Sequence, residues 1–185
     1  PVLREEVSVM ASLDRVQTAD RLSQPVNIIG WDEIQLRAKT VVTQVANEEV
    51  GLHVQRTSPV MAGIFVRGLT GNKVNVFVDG VRYSTAAQRG GVSTFLDLID
   101  PALVDSVEVL RGPNSAQYGS DALGGSLQFL SRVPSLGVEN GRRWSGLFSA
   151  SGNSADTGIG SNITASYAGS RVGADAQDIV DHAQR

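Results

Sequence analysis

The sequence predicts a fold of the α/β (α+β) class, with a small mixed sheet, short helices and long loops, followed by an antiparallel hairpin. Hydrophobic residues make up 41% of the 185 residues, which is enough to build a buried core. Glycine occurs 20 times and aromatic residues contribute only 5%, a balance that favours many tight backbone positions over a plain helical bundle. Short segments of alternating polarity, separated by turn residues, complete the prediction.

A strand and two helices are predicted first. Residues 26–29 form a short apolar segment typical of a strand, and Asp32 can cap a helical turn that contains Ile34 and Leu36. Residues 40–49 place apolar side chains on one helical face. Several of these side chains are β-branched and lose rotamer freedom in a helix, which weakens the second helix.

A strand and a tight hairpin follow along the chain. Residues 63–67 are typical of a strand. Residues 74–78 and 81–83 flank the dipeptide Asp79-Gly80. Two extended segments around Asp-Gly predict a β-hairpin, because the tight turn needs positive φ at both central positions.

One helix start and two further strands are predicted next. Asp100 can cap a helix whose first residue is Pro101, where the missing N–H of proline costs no hydrogen bond. Leu103 and Val104 would then face the core. Residues 107–110 and 126–131 are typical of strands.

The composition of the sequence changes near Pro134. After this residue charged residues become fewer, and two segments of about 10 residues alternate in polarity. Trp144 and Phe148 lie on one face of the first segment, and Ile163 and Tyr167 lie on one face of the second. Small and polar residues occupy the other faces. This pattern is typical of transmembrane β-barrel strands, and a soluble hairpin with one wet face shows it as well.

Composition and motifs argue against several classes of function. The net charge of −3 gives no basic footprint for nucleic acid, and the lack of cysteine excludes disulfides and thiol chemistry. His53 and His182 are too far apart in sequence to suggest a metal site. A hydrolase using Ser115 or Ser120 has no nearby histidine as base, so we predict no catalytic residue, metal or cofactor. We see neither a signal peptide nor the roughly 18 consecutive apolar residues of a spanning helix.

Two long motifs carry a resemblance to a known family. Residues 64–83 have the sequence IFVRGLTGNKVNVFVDGVRY, and residues 107–125 have the sequence VEVLRGPNSAQYGSDALGG. Together they resemble the plug domain of TonB-dependent outer-membrane receptors, and the likeness covers residues 7–134 in the family's order. The segment SLQF at 126–129 departs from the more aliphatic strand usual in the family, which affects local packing.

The resemblance implies three regions: an N-terminal extension with a TonB box (1–24), a plug domain (25–137) and the start of a β-barrel (138–185). A barrel of this class has about 22 strands and needs roughly 220 residues at about 10 per strand. We therefore expect a fragment of a longer receptor, or a plug carrying its first barrel hairpin. A free-standing soluble ligand-binding module with a plug-like fold is the alternative.

The resemblance also implies partners. The expected function is energised uptake of a scarce ligand across the outer membrane, such as a ferric siderophore or another metal chelate, without enzymatic chemistry. TonB, anchored in the inner membrane, would add a strand to a periplasmic coupling segment. The residues of this TonB box are Glu5, Glu6, Val7, Ser8, Val9, Met10 and Ala11. Strand addition requires an extended and otherwise unpaired segment, and on composition alone the same residues are typical of a frayed terminus.

The resemblance implies further site residues. Ligand contacts in such receptors come from apex loops, and loops at 55–62, 69–73 and 83–91 occupy the matching places. The side chains expected to bind ligand are Arg56, Asn72, Tyr83, Gln88 and Arg89. The arginines expected to lock the plug to carboxylates of the missing barrel are Arg67 and Arg111. The residues expected to shape turns and close approaches are Asp79, Gly80, Gly112, Gly119, Gly124 and Gly125.

Overall fold

The chain forms two compact units, Pro1–Arg132 and Val133–Arg185. The structure is a computed structural model that describes residues 7–8, 17–18, 24–37, 39, 41–58, 60–83, 95–132, 143–153, 158–168 and 173–182. Within these ranges, no helix combines the length and the apolar character needed to cross a membrane. The predicted boundary at Gly137 lies outside the described residues.

Short elements joined by long connections make up the first unit. Its strands are β1 (Val7–Ser8), β2 (Gln17–Thr18), β3 (Val26–Gly30), β4 (Leu52–Arg56), β5 (Ala62–Val66), β6 (Val74–Val78), β7 (Val81–Arg82), β8 (Val104–Arg111) and β9 (Gly125–Ser131). Its α-helices are α1 (Trp31–Arg37), α2 (Val42–Val45) and α3 (Ser115–Tyr118), and 3₁₀ turns cover Ala46–Glu48, Gly71–Lys73, Leu96–Leu98 and Pro101–Leu103.

A five-stranded mixed sheet forms the centre of this unit, with the strand order β3-β8-β9-β6-β7. Strands β6 and β9 are parallel, and the other neighbours in the sheet are antiparallel. Strands β4 and β5 pair as a separate antiparallel ribbon, and β1 pairs with β2. The predicted α/β class with a small mixed sheet is confirmed.

The apolar core lies on one face of the sheet. Val107 and Val109 of β8 stand opposite Phe129 and Leu127 of β9, and all four are at most 1% exposed. The helices α1 and α2, the β4–β5 ribbon, two 3₁₀ turns and other strands of the sheet contribute the remaining members of the same cluster. Because hydrophobic burial stabilises by roughly 25 cal/mol per Å², this face anchors the fold.

The Asp79-Gly80 hairpin is present as predicted. Asp79 has φ 49° and Gly80 has φ 80°, the left-handed conformations that the two-residue turn between β6 and β7 requires. Oδ1 of Asp79 also accepts a hydrogen bond from the backbone N–H of Ser131 at 2.7 Å. The turn is thereby tied to the end of β9.

The first predicted helix begins at Trp31, so Asp32 lies in its first turn and not at its N-cap. The second predicted helix is shorter than its pattern suggested. The segment at 40–49 forms α2 and then a 3₁₀ turn, and Val41 at its N-cap makes no side-chain hydrogen bond. Asp100 caps its turn as expected, accepting a hydrogen bond from the N–H of Ala102 at 2.8 Å. Leu103 is 41% exposed, so the expectation that it faces the core was wrong, whereas Val104 is 2% exposed and belongs to the core as expected.

The second unit is a three-stranded antiparallel sheet in the order β10-β11-β12. Its strands are β10 (Arg143–Asn153), β11 (Gly158–Ala168) and β12 (Gly173–His182). The first two form the predicted hairpin, and β12 was not predicted. Trp144 stands opposite Tyr167 with ring centroids 4.8 Å apart. Trp144 and Phe148 are 75% and 67% exposed, so the apolar face of this sheet is open within the described residues.

Candidate functional site

Two of the predicted ligand residues converge on Phe95. Arg56 ends β4 and pairs with Ala62, which forms a parallel bridge with Phe95. The Tyr83 hydroxyl donates a hydrogen bond to the carbonyl oxygen of Phe95 at 3.4 Å. The β4–β5 loop and the segment after β7 therefore meet at one place.

Arg56 is held by a buried carboxylate that the sequence did not indicate as functional. Its Nε lies 3.4 Å from Oδ2 of Asp97, whose side chain is fully buried. The same Nε donates to the carbonyl oxygen of Ser58 at 3.3 Å, and Thr43 Oγ1 donates to Oδ1 of Asp97. A lone acid between Leu96 and Leu98 was the available signal for an unusual environment.

The other predicted ligand residues do not join this place. Asn72 is exposed in the turn Gly71–Lys73. The carbonyl oxygen of Lys73 in that turn accepts hydrogen bonds from Leu123 and Gly124 at 3.1 and 2.8 Å. The contacts of the Asn72 turn thus lead to the segment before β9 and not to Phe95. Gln88 and Arg89 lie outside the described residues.

Part of the predicted TonB box is paired within the chain. Val7 stands opposite Thr18, and Ser8 opposite Gln17, in the short β1–β2 ladder. The expectation of an unpaired segment was therefore wrong for these two residues. The remaining residues of the box lie outside the described part of the chain, and they are Glu5, Glu6, Val9, Met10 and Ala11.

Arg67 and Arg111 lie beside the same turn. Nη1 of Arg111 donates to the carbonyl oxygen of Val50 at 2.9 Å, and the backbone N–H of Arg67 donates to the carbonyl oxygen of Gly51 at 3.1 Å. Within the described ranges, neither guanidinium forms an ion pair with a carboxylate. Nε of Arg111 is buried without a hydrogen-bond partner there, so this end of the sheet offers unmatched cationic donors.

Gly124 and Gly125, at the start of β9, permit a close approach to neighbouring segments. A Cβ at Gly125 would lie 2.4 Å from the carbonyl oxygen of Leu110, and a Cβ at Gly124 would lie 2.8 Å from Cβ of Leu69. Contacts this short would force the backbone apart. The other predicted turn glycines have positive φ, and they are Gly80, Gly112 and Gly119.

The second face of the central sheet is polar and buried. Its buried polar side chains, together with Asn114 from the α3 segment, are at most 8% exposed: Asn75, Glu108, Asn114, Ser126 and Gln128. Nδ2 of Asn75 donates to the carbonyl oxygens of Tyr118 and Ser120 at 2.9 and 3.1 Å. Ser126 Oγ donates to Oδ1 of Asn114 at 2.8 Å. The segment containing α3 therefore covers this face through hydrogen bonds.

Tyr118, in the α3 segment over this polar face, has a shifted pKa. Burial raises the pKa of Tyr118 above its ordinary value of 10.0, and the charge of Glu108 raises it further. Its ring packs against Phe77 in an edge-on arrangement with centroids 5.7 Å apart. The arrangement serves packing and gives Tyr118 no nucleophile or base to activate.

A charge network around Arg37 links α1 to the turn after α2. Arg37 contacts Glu33 and Glu49 at 2.5 Å each and Glu48 at 3.6 Å. Burial alone would lower the pKa of Arg37, but hydrogen bonds to Glu49 and Glu33 make the net change upward. A hydrogen bond from Lys39 lowers the pKa of Glu48. The described part of the chain contains no group of three acids or histidines arranged for a metal ion.

The chain matches a known protein family over more than half its length. Residues 18–126 match the family model of the TonB-dependent receptor plug domain. The matched residues contain the Asp79-Gly80 hairpin, the Arg111 strand and all strands of the central sheet except β9, which continues beyond residue 126. The chain belongs to the TonB-dependent receptor plug domain family.

Solved structures with the same fold are receptors several times longer than this chain. The alcaligin outer-membrane receptor FauA of Bordetella pertussis gives a TM-score of 0.68 at 20% identity, over 87% of this chain and 26% of that one. The ferric enterobactin receptor PfeA of Pseudomonas aeruginosa gives 0.58 at 19% identity, over 80% of this chain and 22% of that one. The ferric yersiniabactin uptake receptor FyuA of Yersinia pestis gives 0.54 at 22% identity, with coverage of 80% and 22%. The chain thus spans about a quarter of their length or less.

Proposed function

We propose that the chain is the ligand-gated plug of an outer-membrane receptor that takes up a scarce ligand with energy supplied through TonB. The observation that carries this proposal is the family match over residues 18–126. The neighbours in structure are named as receptors for ferric enterobactin, ferric yersiniabactin and alcaligin. This favours a ferric siderophore, or another metal chelate, as the ligand.

The second unit supports a barrel as the plug's own partner. Strands β10, β11 and β12 contain 11, 11 and 10 residues, close to the length of about 9–11 residues that a tilted strand needs to cross the hydrocarbon core. Phe148 and its cross-strand neighbour Ile163 are 67% and 53% exposed on one face. Such an apolar outer face fits lipid. We assign β10–β12 to the beginning of the barrel, with the plug in its lumen and the N-terminus in the periplasm.

Arg67 and Arg111 are suited to lock the plug inside that barrel. Their guanidinium groups lack carboxylate partners in the described part of the chain. Arg67 is exposed, whereas Arg111 is partly buried with a buried Nε, and buried charges are costly unless they are paired. Carboxylates on the inner barrel wall would complete these pairs. We propose this role for both residues.

The place where Arg56 and Tyr83 meet is suited to an anionic chelate. Arg56 supplies a positive charge at the end of β4, and Tyr83 supplies a phenol half-buried beside Phe95. A charge-assisted hydrogen bond from a guanidinium is among the stronger polar contacts available to a ligand oxygen. Gln88, Arg89 and Asn72 remain predicted contributors.

Coupling to TonB would use strand addition at the N-terminal segment. Val7 and Ser8 are already extended, and among the described residues β1 pairs with β2 alone; a partner strand would add to its other edge. Ligand at the apex would make this segment available, and a pull on it would rearrange the plug so that the ligand passes. The process needs gating and force but no bond chemistry.

Iron uptake by cells tests the function directly. We expect cells lacking the intact receptor to lose uptake of one of three ⁵⁵Fe-labelled complexes, those of enterobactin, yersiniabactin and alcaligin. Cells with the receptor but without TonB should show the same loss. Unchanged uptake of all three in the receptor deletion would contradict an iron-siderophore function.

A proline in the TonB box separates coupling from binding. Val9→Pro removes a backbone N–H that strand addition needs, so we expect ligand binding to persist while uptake falls to the level of the TonB deletion. Val9→Ala keeps the N–H and serves as the matched control. Normal uptake by Val9→Pro would show that the box lies elsewhere.

A further inference from the structure

A buried carboxylate lies directly behind the candidate ligand loop. The Asp97 side chain is 0% exposed, whereas its ion-pair partner Arg56 is 36% exposed, with 3.4 Å between Oδ2 and Nε. The other carboxylate oxygen, Oδ1, accepts a hydrogen bond from Oγ1 of Thr43. Arg56 therefore links the loop surface to an anion inside the plug.

The Arg56–Asp97 ion pair has fewer contacts than the ion-pair network of Arg37. Oδ2 of Asp97 is buried and makes no hydrogen bond within the described residues, so Arg56 balances its charge without a direct hydrogen bond. Arg37, in contrast, contacts the carboxylates of Glu33, Glu48 and Glu49. A buried carboxylate that loses its counter-charge is strongly destabilised. The Arg56–Asp97 pair is thus the one that a competing anion can disturb.

The contacts of Asp97 lead toward the N-terminal end of the plug. Thr43 lies in α2 and is fully buried. The carbonyl oxygen of Val45, two residues further along, accepts a hydrogen bond from Arg37. Arg37 contacts Glu49, which accepts a hydrogen bond from Nδ2 of Asn27 in β3 at 2.6 Å. Strand β3 is where the N-terminal segment enters the sheet.

We propose that Asp97 is a positioning residue that competes with an anionic ligand for Arg56. The inference rests on the proposed function, because it assumes that a chelate binds at the Arg56 loop. In the empty plug, Asp97 holds the guanidinium. A ligand that takes over the guanidinium leaves Asp97 without its counter-charge, which loosens the Thr43 contact and α2. Ligand binding thereby alters the chain of contacts that leads from α2 to β3.

Binding of a ferric chelate to single and double variants of the intact receptor tests this competition. The probes are ferric enterobactin, ferric yersiniabactin and ferric alcaligin, titrated against the purified receptor in detergent. Asp97→Asn removes the competitor, so we expect binding of the recognised chelate to become about two- to fivefold tighter, the range of a partly exposed ion pair. Arg56→Gln should weaken binding, and Asp97→Asn should then have no further effect.

A merely structural role of Asp97 predicts the opposite sign, because a disordered loop binds less tightly. Asp100→Asn is the matched control: it removes a carboxylate three residues away whose oxygen caps a turn, and it should not tighten binding. Hydrogen exchange in α2 provides a second readout. Ligand should accelerate it in the unaltered receptor and not in Asp97→Asn.

The outcomes separate the two ideas. If the unaltered receptor binds none of the three chelates, the proposed ligand class is overturned, and this inference with it. If it binds one of them while Asp97→Asn binds that chelate equally or more weakly, this inference alone is overturned. Tighter binding by Asp97→Asn that disappears in the Arg56→Gln background supports it.

Discussion

Strand β9 of the first unit and strand β10 of the second alternate in polarity in the same way, yet the structure buries them differently. In β9, apolar Phe129 is 1% exposed, and polar Gln128 beside it is only 8% exposed. In β10, apolar Trp144 and Phe148 are 75% and 67% exposed. One strand is covered on both faces, and the other leaves its apolar face open in its own unit.

The difference shows that alternation fixes which residues share a face but not what covers that face. Helices and the β4–β5 ribbon cover the apolar face of β9, and the α3 segment covers the polar face through Ser126 of β9 and Asn75 of the neighbouring β6. An apolar face without a protein cover suits lipid, where the usual distribution of polarity is inverted. The two strands thus suit different solvents.

Truncation of one phenylalanine in each strand is the strongest test of this contrast. Phe129→Ala should lower the free energy of unfolding of the first unit by about 3–5 kcal/mol, because it leaves a cavity in the core. Phe148→Ala should change it by less than about 0.5 kcal/mol. The sequence has two tryptophans, so Trp31 fluorescence during urea unfolding, in a Trp144→Phe background, reports the first unit. Equal losses for the two variants would break the comparison.

A charge on either face of β10 sharpens the comparison further. Phe148→Lys places a cation on the proposed lipid face and should cost about 2–4 kcal/mol near the bilayer midplane. Leu147→Lys changes the neighbouring residue, which points to the opposite face, and should be tolerated. Folding of the intact receptor into lipid vesicles, followed by its heat-dependent shift in gel mobility, measures both. Equal damage from the two lysines would show that β10 does not face lipid on one side only.

The parts of the fold that the sequence predicted depend on local chemistry. Asp79 and Gly80 predict their turn because few residues accept positive φ. Asp100 predicts its cap because its side-chain oxygen can accept a hydrogen bond from a backbone N–H. The third strand of the second unit was missed because its alternation is weak, with acids such as Asp178 inside an otherwise mixed segment. The parallel pairing of β6 with β9 joins residues some 50 positions apart, from Val74 opposite Gly125 onward, and no local signal specifies it.

The site was predicted less completely for a related reason. The motifs placed Arg56 and Tyr83 on loops, but their meeting at Phe95 depends on how β4, β5 and β7 pack. Asn72 was grouped with them on loop position alone. Asp97 carries no motif, and its importance arises only from burial beside Thr43 and Arg56. Burial of a charge is a property of the folded chain, which a sequence pattern does not reveal.

The smallest expected effect concerns the polar face that distinguishes β9 from β10. Burial, with a further contribution from the charge of Glu108, raises the pKa of Tyr118. Above its ordinary pKa of about 10, the unfolded chain loses the phenol proton while the folded chain keeps it. The stabilisation from the protonated Tyr118 is therefore fully present below about pH 10 and is lost as the pH rises through the folded-state pKa.

Tyr118→Phe removes this titration and should flatten the fall in unfolding free energy of the first unit at alkaline pH. The measurement is urea unfolding between about pH 8 and 11.5, again followed by Trp31 in the Trp144→Phe background. Tyr167→Phe changes a tyrosine of the other unit and should leave that slope as it was. An unchanged slope in Tyr118→Phe would show that water reaches this phenol, and that the polar face of β9 is less closed by the α3 segment than its hydrogen bonds indicate. The contrast with β10 would then rest on the apolar face alone.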